Sequence, residues 1–96
     1  MAALTDAEIE QRLQGAGDWR AQAGSAAIVR ELALADFAAA IAFVNRVAEL
    51  AEAANHHPDI LVHGWNKVRL TLSTHSQGGL TDADFALARE IDRLAA

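Results

Sequence analysis

Residues 37 to 58 read FAAAIAFVNRVAELAEAANHHP, and this stretch restricts the folding of the chain more than any other. Phe37, Ile41, Val44 and Ala48 fall on one helical face, and Ala40, Phe43, Val47 and Leu50 widen it. Asn45, Arg46, Glu49 and Glu52 lie on or near the opposite side, the pattern of an amphipathic helix. Asp36 is placed to serve as its N-cap. Pro58 is the only proline in the chain. A proline pushes the residue before it out of the helical region, so His57 is expected outside the helix. Asn55 can close the helix in a left-handed conformation. A long helix with an apolar face needs a second layer to bury it.

The rest of the chain supplies that layer. Val68, Leu70 and Leu72 alternate with Lys67, Arg69 and Thr71, the period of a strand with one buried face. DILVH and a turn at Gly64 precede them and complete a hairpin. Upstream, Trp19 to Gln22 and Ala26 to Leu34 read as two strands around the turn AGS at 23–25. Ile28, Leu32 and Leu34 share one parity with Arg30 as the exception, while Val29, Glu31 and Ala33 take the other. Thr5 opens TDAE, a capping box with Glu8, and Leu4 and Ile9 form a hydrophobic staple around it. A first helix from about Asp6 to Gln14 follows, ended by GAG. TDAD opens a last helix with Leu87, Ile91 and Leu94 on one face. The expected fold is α+β: a four-stranded antiparallel sheet with three helices packed on one face, in the order helix-strand-strand-helix-strand-strand-helix. Trp65 is expected to pack on the sheet, and His63 to be a loop or edge residue.

Ninety-six residues suffice for one compact domain and are too few for two, so a single domain over 1–96 is expected. The absence of cysteine removes disulfide scaffolds, thiol chemistry and cysteine zinc sites. The net charge is -5 with scattered basic residues, which argues against direct nucleic-acid binding and against attraction to anionic membranes. MAALTDAEIEQRL lacks the basic and apolar regions of a signal peptide, and no apolar run approaches the ~20 residues that span a bilayer. A cytoplasmic protein is expected.

His56, His57 and His75 admit three readings. They could hold zinc, although adjacent histidines rarely converge on one ion and no HExxH helix is present. They could be polar loop residues at a helix C-terminus, where positive charge is favourable. They could also perform acid–base catalysis without a metal, since imidazole titrates near neutrality.

The spacing Glu52-AAN-His56-His57-Pro58, six residues, Trp65, nine residues, His75, eight residues, Asp84 resembles the signature of the pterin-4a-carbinolamine dehydratases. IVRELALADF, NKVRLTLSTH and GLTDADFALA are similar to segments of that family, so the resemblance runs from about Trp19 to Leu94. It implies a hydro-lyase without metal or cofactor. Such an enzyme removes water from a 4a-hydroxytetrahydropterin to give the quinonoid dihydropterin, in the recycling of tetrahydrobiopterin. The catalytic set would be His56, His57 and His75. His56 and His75 would be the proton-transferring pair, and His57 would orient the pterin. Asn55, Pro58, Ser73, Thr74 and Ser76 would flank the substrate, and Trp19 would either border the cleft or sit in the core. Glu52 and Asp84 would be supporting residues, Glu52 by holding His56 and Asp84 by capping the last helix. The resemblance also implies a homodimer or homotetramer. Two alternatives stay open: a dimerisation cofactor of a homeodomain transcription factor, or a pterin protein of molybdopterin or folate metabolism.

Overall fold

The computed structural model describes residues 3–22 and 26–95. The elements run α1 (Asp6–Gln14), β1 (Arg20–Ala21), β2 (Ile28–Ala33), α2 (Phe37–Ala54), β3 (Asp59–His63), β4 (Lys67–Leu72) and α3 (Asp82–Ala95), with a 3-10 turn at His75–Gln77. This is the expected α+β order. The AGS turn expected at 23–25 lies outside the described residues.

Local signals set the helix ends. The Thr5 hydroxyl accepts from the Glu8 amide, and the Glu8 carboxylate accepts from the Thr5 amide, so both halves of the capping box form. That backbone bond holds the Glu8 carboxyl below its ordinary range. Asp36 accepts from the Ala39 amide at 2.8 Å and caps α2. Asn55 closes α2 with φ 49°, the left-handed conformation that asparagine tolerates.

The four strands form one antiparallel sheet in the order β1-β2-β4-β3. Val68, Leu70 and Leu72 face Leu32, Arg30 and Ile28 across the β2–β4 register and are fully buried. Phe43 and Val47 of α2 and Phe85 and Ile91 of α3 complete the core on that face, and Ile9 and Leu13 of α1 pack at its margin. The opposite face carries Glu31 between Arg20 and Arg69, at 3.3 and 3.4 Å. Desolvation acts to raise the Glu31 carboxyl, but the charges and hydrogen bonds of Arg69 and Arg20 outweigh it and leave the group below its ordinary range. Arg30 is the one charge on the core-facing parity of β2. Asp92 of α3 pairs with its guanidinium and also accepts from the Trp19 indole at 2.8 Å.

Four details depart from the sequence reading. β1 has two residues instead of four, because the Trp19 amide is tied back to the Ala16 carbonyl and its indole enters the core. β2 starts at Ile28 and not at Ala26. On α2 the buried stripe is Ala40, Phe43, Val47 and Ala51, whereas Phe37 and Ile41 remain 55% and 37% exposed. The apolar arc of this helix is wider than the surface that covers it. Trp65 is not packed on the sheet: it sits in the β3–β4 turn with φ 58° and is 61% exposed.

Candidate active site

Two loops carry the residues in question, and the sheet brings them side by side. Asp59 pairs with Thr71, so the segment 55–58 enters β3 next to the point where β4 leaves into 73–77. The left-handed Asn55 reverses the chain after α2, and the His56 amide still bonds back to the Ala51 carbonyl. After that reversal the two neighbouring histidines have different partners. His56 is mostly buried and meets Asp84 of α3, whereas His57 is exposed and meets Glu52.

Asp84 has no solvent exposure. Its Oδ2 accepts from the Thr81 amide at 2.9 Å and from the Thr74 hydroxyl at 2.7 Å. Its Oδ1 lies 2.5 Å from His56 Nε2. With Thr74 donating to Asp84, the Thr81 hydroxyl donates to Thr74 at 2.9 Å and itself accepts from the Ala83 amide. Each donor of this buried chain has an acceptor, as a low-dielectric site requires. The carboxylate acts only as an acceptor, so His56 Nε2 is the protonated nitrogen. Nδ1 has no protein partner among the described residues.

Glu52 therefore does not hold His56 as its one-turn spacing suggested. Its carboxylate bonds His57 Nε2, because the reversal at Asn55 turns His56 inward and leaves His57 outside. Asp84 does contribute to the cap of α3, through the Thr81 amide, but the same carboxylate also fixes His56. The sequence reading missed that second bond. A titratable side chain at a cap position, one helix away from a histidine pair, was the available signal.

His75 opens the 3-10 turn, exposed, with Ser73 Oγ 3.4 Å from its Nε2, a weak contact. It lines a cleft of about 320 Å³ with Asp59, Thr71, Ser73, Thr74 and the glycines 78–79. Thr71 and Asp59 belong to the strand parity opposite the buried Leu70 and Leu72, so the cleft opens on the sheet face away from the helices. His56 lines a different hollow, of about 600 Å³, between α2 and α3. The two imidazoles thus face separate hollows, and only His56 is bonded into the Thr74–Asp84 network, whereas His75 merely follows Thr74 in the chain. The Thr74 hydroxyl is committed to that network. Asn55, Pro58 and Ser76 flank the histidines without lining either hollow. Trp19 is 3% exposed, in the core. Asp59 was not singled out from the sequence, although it directly follows the NHHP segment.

Among the described residues no three His, Cys, Asp or Glu side chains gather as a metal-holding group. No helix there is long and apolar enough to cross a membrane.

The family model described as pterin 4 alpha carbinolamine dehydratase matches residues 2–94. A relative from Chloroflexus aggregans is 53% identical over 94 residues, covering 98% of each chain, and one from Acidobacterium capsulatum is 52% identical over 94 residues, covering 98% of this chain and 99% of its own. Both carry the name of that family. A crystal structure from Brucella melitensis, described as a transcriptional coactivator/pterin dehydratase, superposes with a TM-score of 0.93 at 34% identity over 98% of this chain and 99% of its own. A pterin dehydratase-like protein described as a RuBisCO assembly factor in the alpha-carboxysome superposes with a TM-score of 0.69 at 29% identity, over 82% of this chain and 90% of its own. With its fold and nearly its whole length matched, the chain belongs to the pterin-4a-carbinolamine dehydratase family.

Proposed function

We propose that the protein dehydrates a 4a-hydroxytetrahydropterin to the quinonoid dihydropterin by histidine acid–base catalysis. The observation that carries this reading is the His56–Asp84–Thr74 chain, which ends beside His75 at the cleft. In the elimination the C4a–O bond breaks and the hydroxyl leaves as water with a proton from an imidazolium. A second imidazole takes the N5 proton, and the N5–H electron pair becomes the C4a–N5 double bond. One proton is delivered and one removed, so the pair returns to its starting state by exchange with solvent. Asp84 holds the His56 ring and offers a counter-charge; since His56 lines the neighbouring hollow, a substrate seated in the cleft must reach past Thr74 to meet its Nδ1. His75 acts from the wall of the cleft. His57, held by Glu52, orients the substrate, with Ser73 at the cleft and Asn55, Pro58 and Ser76 around it. A cleft of about 320 Å³ lies at the lower end of small-molecule sites, ~300–1,000 Å³, which suits a two-ring heterocycle. The physiological setting would be recycling of tetrahydrobiopterin in the cytoplasm by a homodimer.

The test is turnover of freshly generated 4a-hydroxytetrahydropterin, followed by absorbance against its spontaneous dehydration. Acceleration that survives chelating agents is the expected result. A rate equal to the spontaneous one would reject the assignment.

A second reading, a protein that acts by docking to a partner, has one observation in its favour. Phe37 and Ile41 leave an apolar patch exposed on the first two turns of α2. The coactivator and assembly-factor descriptions of the two structural relatives fit such a role. It uses none of the histidines, so the turnover assay separates the two.

A further inference from the structure

We propose that Asp59 is the residue that selects a pterin, by accepting the two N–H donors of its 2-amino-4-oxopyrimidine edge. This inference rests on the dehydratase reading and goes beyond it by naming the group that recognises the non-reacting end of the substrate. Asp59 opens β3, faces the side of the sheet away from the helices, and lines the cleft that also holds His75. It has no hydrogen-bond or ion-pair partner for its carboxylate among the described residues. The other carboxylate at the site, Asp84, is consumed by Thr74, Thr81 and His56.

The ligand chemistry matches that free acceptor pair. The C2 amino group and N3–H of a pterin point the same way from one edge, and a carboxylate accepts from both at once, the bidentate geometry that gives charge-assisted hydrogen bonds their specificity. The spacing suits the reaction as well. Asp59 lies opposite Thr71; Ser73 is about 7 Å further along the chain, just past the end of β4, and His75 follows it. A flat bicycle anchored at Asp59 therefore extends its C4a and N5 end along the cleft toward His75.

The probes are pterin and lumazine, which differ only in an amino or an oxo group at C2. Binding to the full chain at neutral pH is measured by fluorescence titration, for the wild type and for Asp59→Asn, with circular dichroism as the check on folding. Asp59→Asn is near-isosteric at an exposed strand start. The wild type is expected to prefer pterin by roughly 10- to 100-fold, the worth of hydrogen bonds to a charged group, and Asp59→Asn to lose most of that preference by weakening pterin alone. If the wild type binds pterin and a folded Asp59→Asn variant keeps the same preference, the Asp59 assignment is overturned and the dehydratase reading stands. If the wild type binds neither compound, the pterin reading fails and the Asp59 assignment fails with it.

Discussion

Asp84 collects three donors at a position with no solvent, so its replacement tests stability and chemistry together. Asp84→Asn keeps the volume but turns one acceptor oxygen into a donor. Its amide sets a donor against either His56 Nε2–H or the donors of Thr74 and Thr81. We expect a loss of about 2–3 kcal/mol in urea unfolding and a fall in turnover, because the ring of His56 loses its fixed tautomer. An unfolding curve that overlays the wild type would show that this network does not hold the loops together. The histidines separate by role. His56→Ala and His75→Ala should each cost roughly 10²–10⁴-fold in turnover, the usual worth of one acid–base group. His57→Ala should mainly raise KM. Steady-state kinetics on all three checks this, and near-wild-type turnover in both His56→Ala and His75→Ala would remove the proposed pair. The histidine spacing was legible in the chain, but the partners were not. Glu52 stands one helical turn from His56 in sequence, yet the αL geometry at Asn55 decides which neighbour it meets.

At the scale of elements, two residues in left-handed conformation end or reverse a segment for opposite reasons. Asn55 is a residue suited to its position, whereas Trp65 is not. Asn55→Ala should destabilise by about 1 kcal/mol and Asn55→Gly should not, since only the Cβ of alanine opposes φ 49° without a compensating polar group. If Asn55→Gly then raises KM at unchanged Tm, the side chain contributes to substrate binding as well. Trp65→Gly should raise Tm, because an exposed tryptophan at φ 58° forgoes packing and costs about 1 kcal/mol of backbone strain. Thermal unfolding of the three variants measures these signs, and a lower Tm for Trp65→Gly would show that the indole is packed after all. Helix ends and the β3–β4 hairpin were readable because capping side chains and strict alternation are local signals. β1 was not, since its length is set by Trp19 entering the core and meeting Asp92, 73 positions away. The buried face of α2 was also hidden, because its apolar arc exceeds what the core covers.

In the molecule as a whole, the second strand, long and with few charges in AAIVRELAL, is expected from the sequence to pair with its own copy across a two-fold axis, but β2 is not an edge strand. It lies between β1 and β4. Part of that expectation survives as a proposal. The Leu34 amide bonds to Asn66 and the Ala27 carbonyl accepts from Gln22, so even positions of β2 direct their backbone groups toward β4 and odd positions toward β1. β1 pairs only with Ile28 and Val29. Beyond them the N–H and C=O groups of Glu31 and Ala33 meet no strand among the described residues, and such an edge is usually covered or paired. We expect a dimer in which this half of β2 runs antiparallel to its copy about a two-fold axis, a self-complementary contact. Light scattering at micromolar concentration should give twice the chain mass, and a monomeric mass would reject the dimer outright. The parity chooses the variant that tests the interface. Proline at Leu32 would break the ladder to β4 and unfold the sheet. Proline at Ala33 removes an N–H that the monomer does not use. Ala33→Pro should therefore stay folded by circular dichroism and shift to the monomer. A folded Ala33→Pro that remains a dimer leaves the oligomer standing but moves its interface elsewhere, to the β3 edge or to the Phe37–Ile41 patch of α2.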